Sequence, residues 1–192
     1  MASSKREHLI DIARRLFYRD GFHNTGIDAI IAEAGVAKMT LYKYFKSKDE
    51  LILACLHRQD EEFRNGLMQR VEKQSSEPRE RLLALYTIIA SEISSKDFCG
   101  CLFINAAAEY GKLDNPIHQA AVQHKHLCHQ YIVKLATDAG ANDPEELACQ
   151  LCILLEGSIV SAQVTGECST SSARNAAELL IDHAISAPAH SA

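Results

Sequence analysis

The sequence predicts an all-α protein of about nine helices, a small N-terminal helix-turn-helix domain followed by a larger helical body. Three observations carry this. Apolar residues recur at three- and four-residue spacing along most of the chain, no period-2 run of useful length occurs, and helix start and stop signals bracket the periodic stretches. Hydrophobic residues at 47% and charged residues at 23% are ordinary for a globular protein, which excludes a disordered tail. With only four prolines, a Pro-rich linker is excluded too.

Taken in order, Ser4-Lys5-Arg6-Glu7 reads as a capping box ahead of Leu9, Ile10, Ala13, Leu16 and Phe17, and Gly21 ends that helix. Thr25 is expected to cap a second, short helix carrying Ile27, Ile30, Ile31 and Ala34, which Gly35 breaks. A third runs over 38–45. Ser47-Lys48-Asp49-Glu50 is a further capping box, opening a long helix to about Lys73. A helix after Glu77-Pro78 places Leu82, Leu85, Tyr86 and Ile89 on one face. A short segment covers 100–110, and Asn115-Pro116 opens a helix that closes at Gly140. Asp143-Pro144-Glu145-Glu146 combines a cap, a proline at the first helical position and an acid at the third. The last helix lies over 172–186, with a frayed tail beyond it.

The net charge of −5 hides a split. Residues 1–48 hold nine Lys/Arg against five acids, a balance of +4, and the other 144 residues carry −9. A basic segment on an acidic body suits a small module that meets a polyanion. Residues 25–45, TGIDAIIAEAGVAKMTLYKYF, locate it: two short helices joined by a Gly-containing turn describe a helix-turn-helix. Its second helix enters the major groove with Lys38, Met39, Thr40, Tyr42, Lys43 and Tyr44 available, while Leu41 and Phe45 turn back to Phe17, Ile30 and Val36. Thr25 and Lys48, each beside a helix N-terminus, suit phosphate. Lys38 and Thr40 can hydrogen-bond base edges, and Met39 can meet a thymine methyl. Tyr42 and Tyr44 reach phosphates through their hydroxyls. An αα-hairpin with a solvated lysine face is the alternative for the same residues.

This stretch resembles the N-terminal domain of the TetR family of bacterial transcriptional regulators. The resemblance rests on Phe17, Gly21, Thr25, Ile30, Ala34-Gly35-Val36, Thr40-Leu41-Tyr42, Phe45, Ser47-Lys48 and Leu51, and is close over residues 8–55. In two places the chain departs from the family's pattern. Ala37 stands where the family often has Ser, so a capping hydroxyl is missing, and Ile31 replaces a frequent small Ala. The resemblance implies a 1–48 DNA-binding domain and a 49–192 ligand-binding and dimerisation domain. It further implies a homodimer reading a palindromic operator in double-stranded DNA, and a small-molecule inducer that releases a repressor. The last two helices, through Leu151, Leu155, Ile159, Leu179, Leu180 and His183, would form a four-helix bundle across the two-fold axis. These residues equally fit the domain's own core.

In the body, Phe63, Tyr86, Ile89, Cys101, Phe103, Ile104 and Tyr131 are candidates to line an inducer pocket, with Asn105, Glu109 and His124 as polar anchors. Ordinary core is the other reading for each. Glu109 follows three alanines; burying it requires a partner or a raised pKa, and facing water at the helix edge is the other reading. Cys99-Gly100-Cys101 raises a redox or electrophile switch, and His124, His126, Cys128 and His129 a metal-based one, although each helix face supplies only two ligands. Cys149-x-x-Cys152 reads as core. No cofactor, resident metal or catalytic residue is expected, and the enzyme alternative lacks a phosphate loop, a nucleophile elbow or a complete ligand set. No apolar run approaches the roughly 18 residues of a membrane span, and the N-terminus lacks a signal peptide's apolar core. The chain is thus expected to be cytoplasmic, with its seven cysteines reduced.

Overall fold

The computed structural model describes residues 5–167 and 170–186. Among them the chain forms nine helices and no strand: α1 (Lys5–Asp20), α2 (Ile27–Ala34), α3 (Lys38–Tyr44), α4 (Lys48–Gln74), α5 (Pro78–Ile93), α6 (Leu102–Glu109), α7 (Pro116–Asp138), α8 (Pro144–Thr165) and α9 (Thr170–Ser186). The Ser4 cap and the tail beyond Ser186 lie outside the described residues.

Most punctuation acts as the sequence predicts. Gly21 takes φ +86° and donates its N–H to Phe17 O at 3.0 Å, ending α1. Asp143 accepts the N–H of Glu146 at 3.1 Å to open α8, and Asn115 Oδ1 accepts that of Ile117 at 2.8 Å to open α7. Ser47 Oγ accepts from Glu50 N at 3.1 Å, while the Glu50 carboxylate reaches back to the N–H of Lys46 at 2.6 Å, one residue earlier than a capping box requires.

Thr25 departs from expectation. The residue before α2 is Gly26, which offers no side-chain cap. Thr25 is buried, and its hydroxyl donates to Gly21 O at 2.7 Å and Leu16 O at 3.4 Å. It therefore ties the turn back onto Gly21 and the C-terminal half of α1 rather than onto the α2 amides.

The described residues fall into two compact units. The first holds the residues up to Glu62 together with Cys101–His124; the second holds Phe63–Gly100 and the residues from Lys125 on. The segment 1–48 lies inside the first unit. That unit's core joins Phe17, Phe22, Ile30, Leu41, Phe45 and Leu51 to Phe103 and Ile117. Burying each such side chain contributes about 1.5–3 kcal/mol. The second unit centres on α5, whose residues Leu82, Leu83, Ala84, Leu85 and Tyr86 are all buried, so the helix is covered nearly all round rather than on one face. It packs against α8 and α9.

Helix α8 corrects the membrane-span expectation: it alone among the described helices is long and apolar enough, by length and composition, to cross a membrane. The cause is two apolar stripes on one helix. Leu147, Leu151, Leu155 and Ala162 are buried in the unit's core, while Ile153, Val160 and Val164 are exposed on the other side.

Candidate nucleic-acid interface

The α2–turn–α3 unit is built by local rules. Gly35 adopts the left-handed conformation at φ +63°, which turns its N–H onto Ala32 O at 3.3 Å and that of Val36 onto Ile31 O at 3.2 Å. This closes α2 and reverses the chain within three residues. Ala37 caps α3 with backbone alone, as its missing hydroxyl predicts. Leu41 of α3 and Phe45 just after its end are fully buried in the core with Phe17 and Ile30, which pins the helix by one face. The other face is open: Lys38, Met39, Tyr42 and Lys43 are exposed, Met39 by 80%.

The remaining DNA-contact candidates are placed less uniformly. Thr40 is half-buried, and Tyr44 packs partly against the core, which leaves Tyr42 as the freer hydroxyl. Lys38 Nζ lies 3.3 Å from Asp28 Oδ1, so the lysine is braced by α2. Lys48 Nζ donates to His23 O at 3.5 Å beside the start of α4. Thr25 faces inward, so any phosphate near α2 would meet backbone N–H groups rather than its hydroxyl.

Glu109, at the end of α6, belongs to this unit as well. Its carboxylate accepts the N–H of Phe22 at 2.8 Å and of His23 at 2.6 Å, and the His23 ring nitrogen lies 2.7 Å away. Burial opposes the charge, yet the His23 and Phe22 amides and the His23 ring hold the carboxyl below its usual range. Of the two alternatives the sequence left, the structure takes the partnered one. Glu109 is thereby committed to the α1–α2 turn.

Residues 9–55 match the family described as "Bacterial regulatory proteins, tetR family", and residues 78–177 match "Tetracyclin repressor-like, C-terminal domain". The chain belongs to the TetR family of bacterial transcriptional regulators. Among TetR-family structures, a transcriptional regulator from Streptomyces avermitilis superposes with a TM-score of 0.83 at 30% identity, covering 95% of this chain and 98% of that one. The HTH-type transcriptional regulator YjdC of Escherichia coli is 29% identical over 156 residues, 80% of each chain. The HTH-type transcriptional repressor NemR of Escherichia coli is 28% identical over 116 residues, 60% of this chain and 58% of that one.

The TetR-family body places the other candidates in two groups. In the first unit, His124 is buried, stacks on Phe103 and turns Nδ1 to Asp60 Oδ1 at 2.7 Å. Cys101 and Asn105 are half-buried at the start of α6. In the second unit, Tyr86 is buried and donates to Leu151 O at 2.9 Å, and Ile89 is buried beside it in the core. Phe63 and Tyr131 pack against that core, and the Tyr131 hydroxyl is buried with no hydrogen-bond partner among the described residues.

The histidine cluster does not converge. His124 Nδ1 meets Asp60 Oδ1, whereas His126 Nε2 lies 2.9 Å from the Gln130 amide and His129 Nδ1 lies 3.9 Å from Glu145. No group of three His, Cys, Asp or Glu placed to hold a metal occurs among the described residues. Burial pushes the Cys55 thiol up to about 12 and that of Cys152 up to about 11, so neither is a ready nucleophile. Cys99 and Cys101 are half-buried and joined in no disulfide among the described residues.

Of the dimer candidates, Leu151 and Leu155 are core residues of their own unit, and Ile159 and Leu180 pack against that core. Leu179, 74% exposed, and His183 face outward. On α8, Ile153, Val160 and Val164 face outward as well. With Gly157 they repeat at spacings of four, three and four, a second helical stripe legible in the sequence but masked by the stronger leucine stripe.

Proposed function

We propose that this TetR-family regulator binds a palindromic operator as a homodimer, through α3 in the major groove, and represses transcription until a small molecule releases it. The observation that carries the reading is the two-faced α3. Leu41 and Phe45 hold it from inside, while Lys38, Met39, Tyr42 and Lys43 are exposed outside, cationic and apolar side chains suited to phosphates and base edges, with Lys38 braced by Asp28. The positive balance of residues 1–48 supports it. Repression is carried over from NemR, a named repressor. A DNA-binding role places the protein in the cytoplasm.

Dimerisation proceeds through the outer stripe of α8, Ile153, Val160 and Val164, with Leu179 of α9 beside it in the proposed bundle, since a second copy would cover apolar surface that its own unit leaves open. Tyr131 is the preferred anchor for the inducer, its buried hydroxyl awaiting a partner within an apolar setting.

The test is selection of duplexes from random DNA at two salt concentrations. An enriched palindrome is the expected result. Salt-sensitive binding without enrichment would overturn sequence-specific recognition by α3.

A further inference from the structure

The turn between α1 and α2 is gripped from three elements. Thr25 ties it to Gly21 O and to Leu16 O of α1, Lys48 of α4 donates to His23 O at 3.5 Å, and Glu109 of α6 accepts the amides of Phe22 and His23 at 2.8 and 2.6 Å. Tyr110 completes the α6 grip. Its ring stacks on His23 with centroids 4.8 Å apart and meets Phe22 edge-on at 6.3 Å. Gly21 admits the carboxylate: a Cβ there would lie 3.1 Å from Glu109 Oε1, on a backbone already at φ +86°. Charge-assisted bonds to two successive amides are the strongest of these restraints. They also come from a helix more than eighty residues further along the chain.

We infer that Glu109 is a positioning residue for DNA binding: by holding the amides of Phe22 and His23 it sets where α2 begins, and so how α3 is presented to the groove. The inference rests on the DNA-binding reading proposed above. Helix α2 starts at Ile27, four residues past His23, and α3 follows after the short Gly35 turn, so a displacement of the α1–α2 turn is passed directly to α3. Glu109 itself stands on α6 and makes no part of the exposed face of α3. Its loss should therefore reduce discrimination between sequences while leaving phosphate contacts in place.

The experiment compares full-length wild type, Glu109→Gln and Glu109→Ala on two probes, the duplex that wild type enriches from random DNA and a scrambled duplex of equal length. Binding is read well below each variant's melting temperature. Glu109→Ala should bind the enriched duplex about tenfold more weakly and the scrambled one within about twofold, with an unchanged salt slope. Glu109→Gln, which keeps one acceptor oxygen, should fall between. Should Glu109→Ala fail to fold, amide hydrogen exchange of Glu109→Gln carries the test: Phe22, His23 and the amides of α2 and α3 should exchange faster while those of α1 do not. Equal losses on both duplexes, or unchanged exchange in α2 and α3, would overturn the positioning role. A preference that Glu109→Ala retains in full would overturn it alone. A wild type that prefers neither duplex would overturn the DNA reading and this inference with it.

Discussion

The imidazole of His124 lies flat on the ring of Phe103, with centroids 3.6 Å apart and planes 7° from parallel. Its Nδ1 meets Asp60 Oδ1 at 2.7 Å, so one buried side chain joins α4, α6 and α7 within the first unit. Asp60→Ala removes the acceptor facing this imidazole and should cost about 1–3 kcal/mol, read as a lower Tm. Asp60→Asn, which keeps a carbonyl oxygen, should recover much of that. An Asp60→Ala melt superimposable on wild type would show that the pair contributes nothing.

Thr25→Val tests which way the hydroxyl faces. Losing its bonds to Gly21 O and Leu16 O should destabilise the protein by about 0.5–1.5 kcal/mol. The salt slope of DNA binding should not change, because the hydroxyl is turned inward onto those carbonyls. A flatter slope with an unchanged Tm would restore the phosphate role that the sequence suggested.

Lys48 and Thr40 should separate two kinds of contact. Lys48→Ala is expected to weaken all duplexes alike and lower the salt slope by about one. Thr40→Ala should relax discrimination at a single base pair, by about 1–3 kcal/mol, with little effect on the slope. Competition titrations at several salt concentrations measure both, and identical behaviour of the two variants would refute this docking of α3.

On α8, Ile153→Glu should leave the circular dichroism spectrum intact and shift sedimentation from dimer to monomer, since the side chain is 65% exposed within one chain. Leu151→Ala, on the buried side, should instead cost about 2–5 kcal/mol of stability. A dimer that survives Ile153→Glu would remove the outer stripe from the interface.

The pH dependence of stability should carry a Glu109 component with a defined sign. Its carboxyl is held below the ordinary value in the folded chain, so it stabilises the fold above the unfolded carboxyl's pKa. That contribution is lost as pH falls through the lowered folded value. Melts taken from neutral pH down through the carboxylate range should show a shallower acid decline for Glu109→Gln than for wild type. Parallel declines would mean that the carboxylate contributes no such term.

What the sequence determined by itself was everything governed by neighbours along the chain. Helix periodicity, the Asp143 cap, the Gly21 and Gly35 stops and the inward pair Leu41 and Phe45 are set within a few residues, and all appear in the fold where the spacing puts them. Tertiary structure decided the polar side chains and the partition of apolar faces. Glu109 found partners 86 and 87 residues away, and His124 turned to Asp60 rather than to its own helix, whereas Thr25 is a local exception, its hydroxyl turning back four residues to Gly21 O rather than forward to the α2 amides. On α8 the spacing revealed apolar residues but not which of two stripes its own unit would bury. The reason is physical: local dihedral preferences and helical period depend on adjacent residues, whereas a hydrogen-bond partner or a buried face depends on which distant segment the packed core brings alongside.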